Sequence, residues 1–280
     1  MMLRDVPDEF LAEIQRGIGP YSVALARTKE EEAESFQPLG SGVLVEKNGK
    51  FGILTAHHCL HAASPDVQFG TIGGDHLFLI LWGGREILLK SIEVKELQLA
   101  SPSAGVYGEF GPDLTFIEIL SADRRGSLAA ISSFWNLNRS SEEVLAKWGQ
   151  PQTPLASMGY PEVDYFTKID LNHIHHQLKN MLYANAIGEG DIHTRNGWDY
   201  IDLGCTYTET NDLPDSFTGV SGGPVWSLDV RRRKETGELV FKGFALVGIK
   251  FFQTPTENQH CKLRAHFVRS IYEVAWQEAG

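Results

Sequence analysis

The chain has 280 residues, of which 42% are hydrophobic, and a formal net charge of -11 at pH 7. This length and apolar content suffice for one large core or two modest ones, whereas the acidic excess argues against nucleic acid as a partner. No stretch approaches the roughly 18 apolar residues of a membrane-spanning helix, so we expect no membrane partner.

The start of the chain and the cysteines bear on location. Residues 1–9 lack the apolar core of a secretory signal, which favours a cytoplasmic protein. The three cysteines, Cys59, Cys205 and Cys261, are few and odd in number, which is typical of a reducing compartment rather than a disulfide framework. We therefore expect folding that does not depend on disulfides.

The first part of the chain predicts a helix followed by short strands. Residues 6–16 form an amphipathic pattern in which Phe10, Leu11 and Ile14 share one face, and Asn48-Gly49 is typical of a tight hairpin turn. Strand-like runs lie at 21–25, 43–45, 51–55, 77–82, 86–89, 92–97 and 114–120. Many short strands separated by glycine turns predict a closed or sandwiched all-β unit.

The middle of the chain changes character before strands resume. Leu128, Ile131 and Trp135 recur at helical spacing, and Ser140 with Glu143 matches a capping box, so residues 122–152 predict a partly helical connector. Further strands are expected from 155 onward, at 181–186, 200–206, 225–228, 238–244 and 245–252, and then a final helix with Val268, Ile271, Tyr272, Ala275 and Trp276 on one face.

The most informative stretch is Gly219-Val220-Ser221-Gly222-Gly223-Pro224. Glycine costs folding entropy and is kept where the backbone turns tightly or approaches another group closely. A serine among glycines can act as a nucleophile, with its own N–H and that of Gly219 stabilising the oxyanion of a tetrahedral intermediate. Such a serine needs a histidine base and a carboxylate that orients the base.

Both partners have candidates earlier in the chain. His58 follows the apolar strand that ends in Leu54-Thr55-Ala56, where a rigid element can present an imidazole to a cleft. Asp113 opens the apolar run 114–119. The sequence therefore predicts a site built from His58, Asp113 and Ser221.

The motifs occur in the order His, Asp, Ser, as Thr55-Ala56-His57-His58-Cys59, Gly111-Pro112-Asp113-Leu114 and the serine stretch. In this the chain resembles the chymotrypsin-like (trypsin-like) serine peptidases over most of residues 20–280. Gly40-Ser41-Gly42-Val43 is similar to the strand that leads into the family's histidine hairpin.

The resemblance implies an all-β fold with two six-stranded antiparallel β-barrels. The implied first barrel spans 20–121 and the second 153–267. An N-terminal helical extension at 1–19, the connector at 122–152 and a C-terminal helix at 268–280 complete the expected organisation.

The resemblance also implies a serine endopeptidase. Ser221 would attack the peptide carbonyl, His58 would act as general base and then acid, and Asp113 would hold the tautomer of His58. The N–H groups of Gly219 and Ser221 would form the oxyanion hole. The implied partner is a polypeptide substrate, no cofactor is implied, and a regulatory partner protein is left open.

This sequence departs from secreted members of the family in three places. Val220 stands where they carry an aspartate that pairs with a newly cut N-terminus, so activation by that ion pair is not expected. No cysteine precedes Cys59 to bridge with it, and Phe217 occupies the position of another bridged cysteine. The chain therefore resembles the intracellular, disulfide-free, bacterial style of the fold.

Other interpretations stay open at this level. His57 is an alternative base, and Cys59 is expected to be a small buried hydrophobe rather than a reactive thiol. The cluster His173-Ile174-His175-His176 lacks carboxylate or cysteine partners at metal-binding spacings, so we interpret it as a surface loop and predict no metal site. A catalytically silent homologue could bind a peptide or partner protein in the same cleft. An esterase is disfavoured because the nucleophile-elbow pattern is absent.

The residue preferred before the cut bond depends on three positions. Asp215 lies six residues before Ser221, the offset at which trypsin-like members bind arginine or lysine, and predicts basic specificity. Lys250, on a strand that resembles the pocket wall, would point into the same pocket and favour acidic residues, and Gln253 would narrow the entrance. An aspartate and a lysine there would pair with each other. We favour the basic preference, with Asp215 in a surface turn as the alternative.

Overall fold

The computed structural model describes residues 7–29, 32–61, 75–100, 109–149, 153–162, 165–170, 173–178, 181–185, 190–207 and 217–277. Within these ranges the chain is mostly β, with two large sheets, one of them strongly curled into a half-barrel. The predicted predominance of β structure is therefore confirmed. Among the described helices, none is long and apolar enough to cross a membrane.

The elements are short. The helices are α1 Asp8–Ile18, α2 His58–His61, α3 Ala122–Ala129, α4 Ser141–Trp148 and α5 Ala275–Gln277, with 3-10 turns at Gly19–Tyr21 and Ser91–Glu93 and a π-helical segment at Ser270–Val274. The strands are β1 Ser22–Lys29, β2 Glu32–Lys47, β3 Lys50–Thr55, β4 Asp75–Leu81, β5 Glu86–Lys90, β6 Val94–Ala100, β7 Leu114–Ile119, β8 Trp135–Asn136, β9 Leu155–Gly159, β10 Tyr165–Asp170, β11 His173–Leu178, β12 Met181–Asn185, β13 Gly190–Arg195, β14 Trp198–Thr206, β15 Pro224–Arg232, β16 Leu239–Gln253 and β17 His260–His266.

The first sheet runs β5-β4-β1-β2-β3-β7-β6, with the short β8 paired parallel to β2. The predicted hairpin between β2 and β3 is confirmed, because Asn48 and Gly49 adopt positive φ angles of 52° and 78°, as a tight two-residue turn requires. Leu44 and Ile53 lie opposite each other in this hairpin and are fully buried. Val43, Val45 and Leu54 point to the other face and are fully buried as well, in a different hydrophobic cluster, so this hairpin is covered on both faces.

The second sheet runs β12-β9-β15-β16-β17-β14-β13. The prediction of two strands at 238–244 and 245–252 is wrong, because β16 is a single strand of 15 residues. Its register against β15 shifts twice, for example between Asp229 and Val230. Each bulge moves the inward-facing positions by one residue, so the hydrophobic alternation breaks within one continuous strand.

The histidine cluster lies in a strand. His173 to His176 belong to β11, which pairs with β10 in a two-stranded sheet with Asp170 opposite His173. The surface-loop interpretation is therefore wrong. Ile174 is the one apolar residue in that run, so the alternation that predicts a strand was absent.

One hydrophobic core joins the two sheets with α1, α4 and the C-terminal helical segment. Trp135 packs edge-on against Trp226 of β15, with ring centroids 5.3 Å apart. Trp135 Nε1 also donates a hydrogen bond of 2.8 Å to the hydroxyl of Tyr272, which is fully buried. The residues between the sheets and the end of the chain are therefore part of the same packed unit as the strands.

Candidate active site

Two neighbouring strands bring the predicted base and acid together. β3 and β7 pair with Thr55 opposite Thr115. His58 begins α2 just after β3, and Asp113 immediately precedes β7. His58 Nδ1 lies 2.6 Å from Asp113 Oδ2, and the backbone N–H of His58 donates to Asp113 Oδ1 at 3.0 Å. The carboxylate therefore favours the tautomer protonated at Nδ1, in which Nε2 is the basic nitrogen.

Asp113 is almost fully buried, with 2% of its surface exposed. Burial by itself raises the pKa of a carboxyl group, but the hydrogen bonds and charge of His58 outweigh it, so that the pKa of Asp113 is lowered from its ordinary value. The carboxylate is consequently ionised at neutral pH, which is the state that orients a histidine base.

His266, at the end of β17, holds Asp113 from the second sheet. The backbone N–H of Asp113 donates to His266 Nε2 at 3.0 Å, and the ring stacks on Phe251 with centroids 4.6 Å apart. A ring nitrogen that accepts a hydrogen bond carries no proton. Burial lowers the pKa of His266 to about 4, so the ring is neutral at pH 7.

Acid should weaken the fold through His266. The unfolded chain binds a proton at this histidine near pH 6.5, whereas the folded chain binds it only near pH 4, so the free energy of unfolding falls as the pH drops through this window. The shift corresponds to about 3 kcal/mol. The variant His266→Gln keeps a hydrogen-bond acceptor that does not titrate. Between pH 7 and pH 4 its free energy of unfolding, measured with urea, should fall by about 3 kcal/mol less than that of wild type.

The matched control is His260→Gln, at the exposed start of the same strand. It should show the acid loss of the wild-type protein, because its side chain lies at the surface. Equal acid loss in wild type and His266→Gln would contradict the neutral state assigned to His266.

Other side chains of the second sheet hold the segment that leads into Asp113. Tyr200 Oη donates to the carbonyl of Phe110 at 2.9 Å, and Arg264 Nη1 donates to the carbonyl of Glu109 at 2.8 Å. Arg264 is itself fixed by a bidentate pair with buried Asp202, at 2.7 and 2.8 Å. Because bidentate, charge-assisted bonds fix orientation strongly, strands of the second sheet position a residue of the first.

Gly222 and Gly223, the two residues after Ser221, pack too closely against other backbone to leave room for a side chain. Gly222 has a φ of 80°, and a Cβ at this position would collide with Thr55 Oγ1 and with the carbonyl oxygen of Ser41. A Cβ at Gly223 would collide with the carbonyl oxygen of Met158. The glycines are therefore required by close backbone approach, as the sequence indicates.

Ser41 of β2 ties this loop on both sides of the nucleophile. Its Oγ donates to the carbonyl of Gly219 at 2.7 Å, and its backbone N–H donates to the carbonyl of Ser221 at 2.7 Å. The same Oγ accepts the N–H of Tyr160 at 3.0 Å, and the Ser41 carbonyl accepts the hydroxyl of Thr55 at 2.7 Å. Ser41 is fully buried; its hydroxyl and backbone N–H hold the loop in place, and its carbonyl bonds to β3.

Carbonyl contacts set the direction of two N–H groups next to the nucleophile. In a trans peptide the C=O and the following N–H point in opposite directions. The carbonyl of Thr218 accepts the N–H of Glu162 at 2.8 Å, and that of Val220 is bonded within the loop's own turn. The N–H groups of Gly219 and Ser221 point away from these contacts, and neither has a partner in the described part of the chain. Two such donors are the arrangement that stabilises an oxyanion.

His58, Ser221 and Gly219 line one open cleft of about 300 Å³. The other described residues that line it are Gln37, Pro38, Leu39, Cys59, Phe217, Thr218 and Gln253. The hydrogen bonds of the described residues include none between Ser221 Oγ and His58, and catalytic bonds of this kind are often long before substrate binds. The cleft brings the predicted base, nucleophile and oxyanion donors to one surface.

The predicted specificity residues lie in different surroundings. Gln253 lines the cleft, and its Oε1 accepts the N–H of Phe217 at 3.2 Å. Lys250 is buried behind the nucleophile loop, where its Nζ donates to the carbonyl of Met158 at 3.0 Å, and it is not among the described residues that line the cleft. Asp215 lies outside the described residues, so the pairing of Asp215 with Lys250 stays a prediction.

The neighbours of His58 have other surroundings. His57 Nδ1 lies 3.5 Å from Thr115 Oγ1 and 3.6 Å from Glu96 Oε1, so the contact with Asp113 belongs to His58. Cys59 is 4% exposed, and burial raises the pKa of its thiol to about 12. This geometry favours His58 as the base and gives Cys59 no thiolate at neutral pH.

Sequence reasoning missed the residues that position the site. Ser41 lies between two glycines. These glycines indicate close backbone packing, and they were the feature of the sequence that could have predicted a contact between Ser41 and the loop around Ser221. Arg264 and His266 alternate with the apolar Leu263 and Ala265, and all four are buried. Polar residues at buried strand positions need partners, but the partners lie far away in the chain.

Known proteins were compared with the chain at the level of sequence. No protein-family model matches it, and no curated protein matches it significantly. The chemistry of the site is therefore inferred from the geometry of the cleft itself.

Proposed function

We propose that the chain is a trypsin-like serine endopeptidase that hydrolyses peptide bonds with His58, Asp113 and Ser221. The observation that carries the proposal is the bond of 2.6 Å between His58 Nδ1 and Asp113 Oδ2, made at the cleft that Ser221 also lines. A buried, ionised carboxylate on one ring nitrogen prepares the other nitrogen to accept a proton.

In this mechanism His58 Nε2 takes the proton of Ser221 Oγ while that oxygen attacks the peptide carbonyl. The oxyanion of the tetrahedral intermediate accepts hydrogen bonds from the N–H groups of Gly219 and Ser221. His58 then gives its proton to the leaving amine, and an ester of Ser221 remains until a water molecule, activated by the same histidine, hydrolyses it.

The order of strands supports the finer proposal of two barrels. β5 and β6 are the ends of the first sheet, yet they are consecutive in the chain and are joined by the turn Ser91–Glu93. β12 and β13 are the ends of the second sheet and are separated by residues 186–189. Connections this short keep the two edges of a sheet near each other, as closure into a barrel requires.

The described residues of the cleft do not themselves select a charged residue before the cut bond. Apart from His58 and Cys59, the described residues that line it have no ionisable side chain, and the thiol of Cys59 stays protonated at neutral pH. A basic preference before the cut bond therefore rests on Asp215, outside the described residues, whereas Gln253 offers a neutral amide.

A fluorophosphonate probe tests the nucleophile. The full chain should be labelled at Ser221, with labelling lost in Ser221→Ala and slowed by at least about 100-fold in His58→Ala, because an unassisted serine is a weak nucleophile. The matched control is Ser127→Ala, which removes an exposed serine of α3 and should be labelled as fast as the wild-type protein.

Labelling that survives Ser221→Ala would contradict the assigned nucleophile. A wild-type chain that is not labelled at all would contradict the peptidase proposal. That result would favour the silent alternative, in which the cleft binds a peptide or a partner protein without cleaving it.

A further inference from the structure

Two of the three cysteines face each other across neighbouring strands. In the antiparallel pair of β14 and β17, Cys205 lies directly opposite Cys261. Neither is in a disulfide, and both are buried, with 1% and 4% of their surfaces exposed. Their positions in the sequence gave no sign of pairing, because the register of two distant strands brings them together.

Directly opposed residues of an antiparallel pair meet the Cα distance requirement of a disulfide. Their Cα atoms are about 4.5 or 5.5 Å apart, depending on the type of pair, and disulfides span Cα separations of about 4.4–6.8 Å. Their side chains also leave the same face of the sheet. A bond between Cys205 and Cys261 therefore needs no change of strand register.

The pair lies one residue from the ends of its two strands. The residues that follow Cys205 and precede Cys261 are Thr206 and His260, which are exposed and contact each other at 2.9 Å. Strand ends open more easily than strand centres, so a small oxidant can reach the thiols. The pKa of Cys261 is lowered to about 7. The hydrogen bond with the side chain of Cys205 is the largest cause, and burial acts in the opposite direction.

Cys261 also adjoins the wall of the cleft. Gln253 of β16 lies opposite Leu263, which is two residues from Cys261 on the same face of β17, and Oε1 of Gln253 accepts the N–H of Phe217 at 3.2 Å. Both Gln253 and Phe217 line the cleft with Ser221. A change in the bonding of Cys261 therefore acts on a side chain that shapes the cleft.

We propose that Cys205 and Cys261 form a redox modification site, which a hydroperoxide such as hydrogen peroxide converts into a cross-strand disulfide. The Cys261 thiolate attacks one peroxide oxygen, the O–O bond breaks, and hydroxide leaves as water after taking a proton. Sulfur of Cys205 then attacks the resulting sulfenic sulfur, the S–O bond breaks, and a second water leaves. Two thiols and one hydrogen peroxide thus give one disulfide and two waters.

Mass spectrometry tests the proposal on the full chain. After brief treatment with dilute hydrogen peroxide, the protein is unfolded in N-ethylmaleimide to count its remaining thiols. Wild type should keep one thiol, lose about 2 Da, and yield a peptide pair joined through Cys205 and Cys261 that dithiothreitol separates. The melting temperature should rise by about 5 °C or more, because the bond restrains the unfolded chain.

Matched serine variants distinguish this pair from the third cysteine. Cys59→Ser should still form the disulfide and keep no thiol, whereas Cys205→Ser and Cys261→Ser should form none and show no rise in melting temperature. Three remaining thiols in treated wild type, a disulfide to Cys59, or overoxidation of Cys261 with Cys205 unchanged would each overturn the proposal.

An effect on hydrolysis rests on the proposed peptidase function and is measured separately. Oxidation should change KM more than kcat for a peptide substrate, because Gln253 lines the cleft and is not part of the triad. The disulfide itself is scored by mass, so its absence counts against the redox site even if the chain is a peptidase. Its presence in a chain without activity counts against the peptidase alone.

Discussion

Replacing Ser221 or His58 by alanine is expected to lower kcat/KM for a peptide substrate by about 10^4-fold or more. The double variant should be little worse than either single variant, because base and nucleophile act as one unit and the first substitution already removes the shared step. Asp113 is buried against His58, so Asp113→Asn should also reduce kcat strongly by permitting the wrong tautomer. Initial rates with a quenched fluorescent peptide library measure all four variants.

His57→Ala is the control that tests the assignment of the base. His57 is the adjacent histidine, and its ring contacts Thr115 and Glu96, whereas the ring of His58 contacts Asp113. Its replacement should leave activity far above that of His58→Ala. An inactive His57→Ala beside an active His58→Ala would show that the assigned base is wrong.

Lys250→Met is expected to raise the free energy of unfolding by about 3–5 kcal/mol at pH 6.5. Lys250 is 2% exposed, and within the described chain its Nζ bonds to one backbone carbonyl and makes no ion pair. Burial lowers its pKa from 10.5 to about 7. At neutral or lower pH the buried, protonated amine therefore destabilises the folded state relative to the unfolded state. Methionine has a similar volume and no charge, and it leaves the backbone bonds of residue 250 to Gly222 and Gly223 in place.

The pH dependence of this gain separates charge from packing. Between about pH 7 and 10.5 the unfolded chain binds the proton and the folded chain does not, so wild-type stability rises with pH in this window and the advantage of the variant should shrink to about 1–2 kcal/mol at pH 9.5. Urea unfolding at both pH values measures it. Lys242→Met, at an exposed position of the same strand, is the matched control. A loss of stability in Lys250→Met at pH 6.5 would contradict the buried-charge account.

The residues that the sequence predicts well are those whose chemistry is local. Asn48-Gly49 specifies a tight turn by backbone conformation alone, and the glycines after Ser221 report close contacts at their own positions. His58 and Asp113 each adjoin an apolar run, which made both of them candidates, but the pairing of β3 with β7 that brings them together does not follow from either run alone. Short segments therefore indicate the candidate residues, and the fold decides which of them meet.

The parts that escaped prediction depend on register between distant strands. His266 meets Asp113, and Cys205 meets Cys261, only because particular residues of separate strands lie opposite or adjacent. The two bulges in the β15–β16 pair changed the alternation without changing the number of strands. A single sequence carries no direct measure of such register, since any strand of suitable alternation pairs in more than one way.

The support that Asp113 receives from β14 and β17 has a consequence for when the proposed enzyme becomes active. Tyr200, Arg264 and His266 follow Asp113 in the chain, and they hold its backbone and the segment before it. A growing chain that contains His58 and Asp113 but not β14 and β17 lacks these supports. In the proposed peptidase, hydrolysis therefore begins only after β14 and β17 have been synthesised and have folded against the first sheet, which protects partly made copies from cleaving one another.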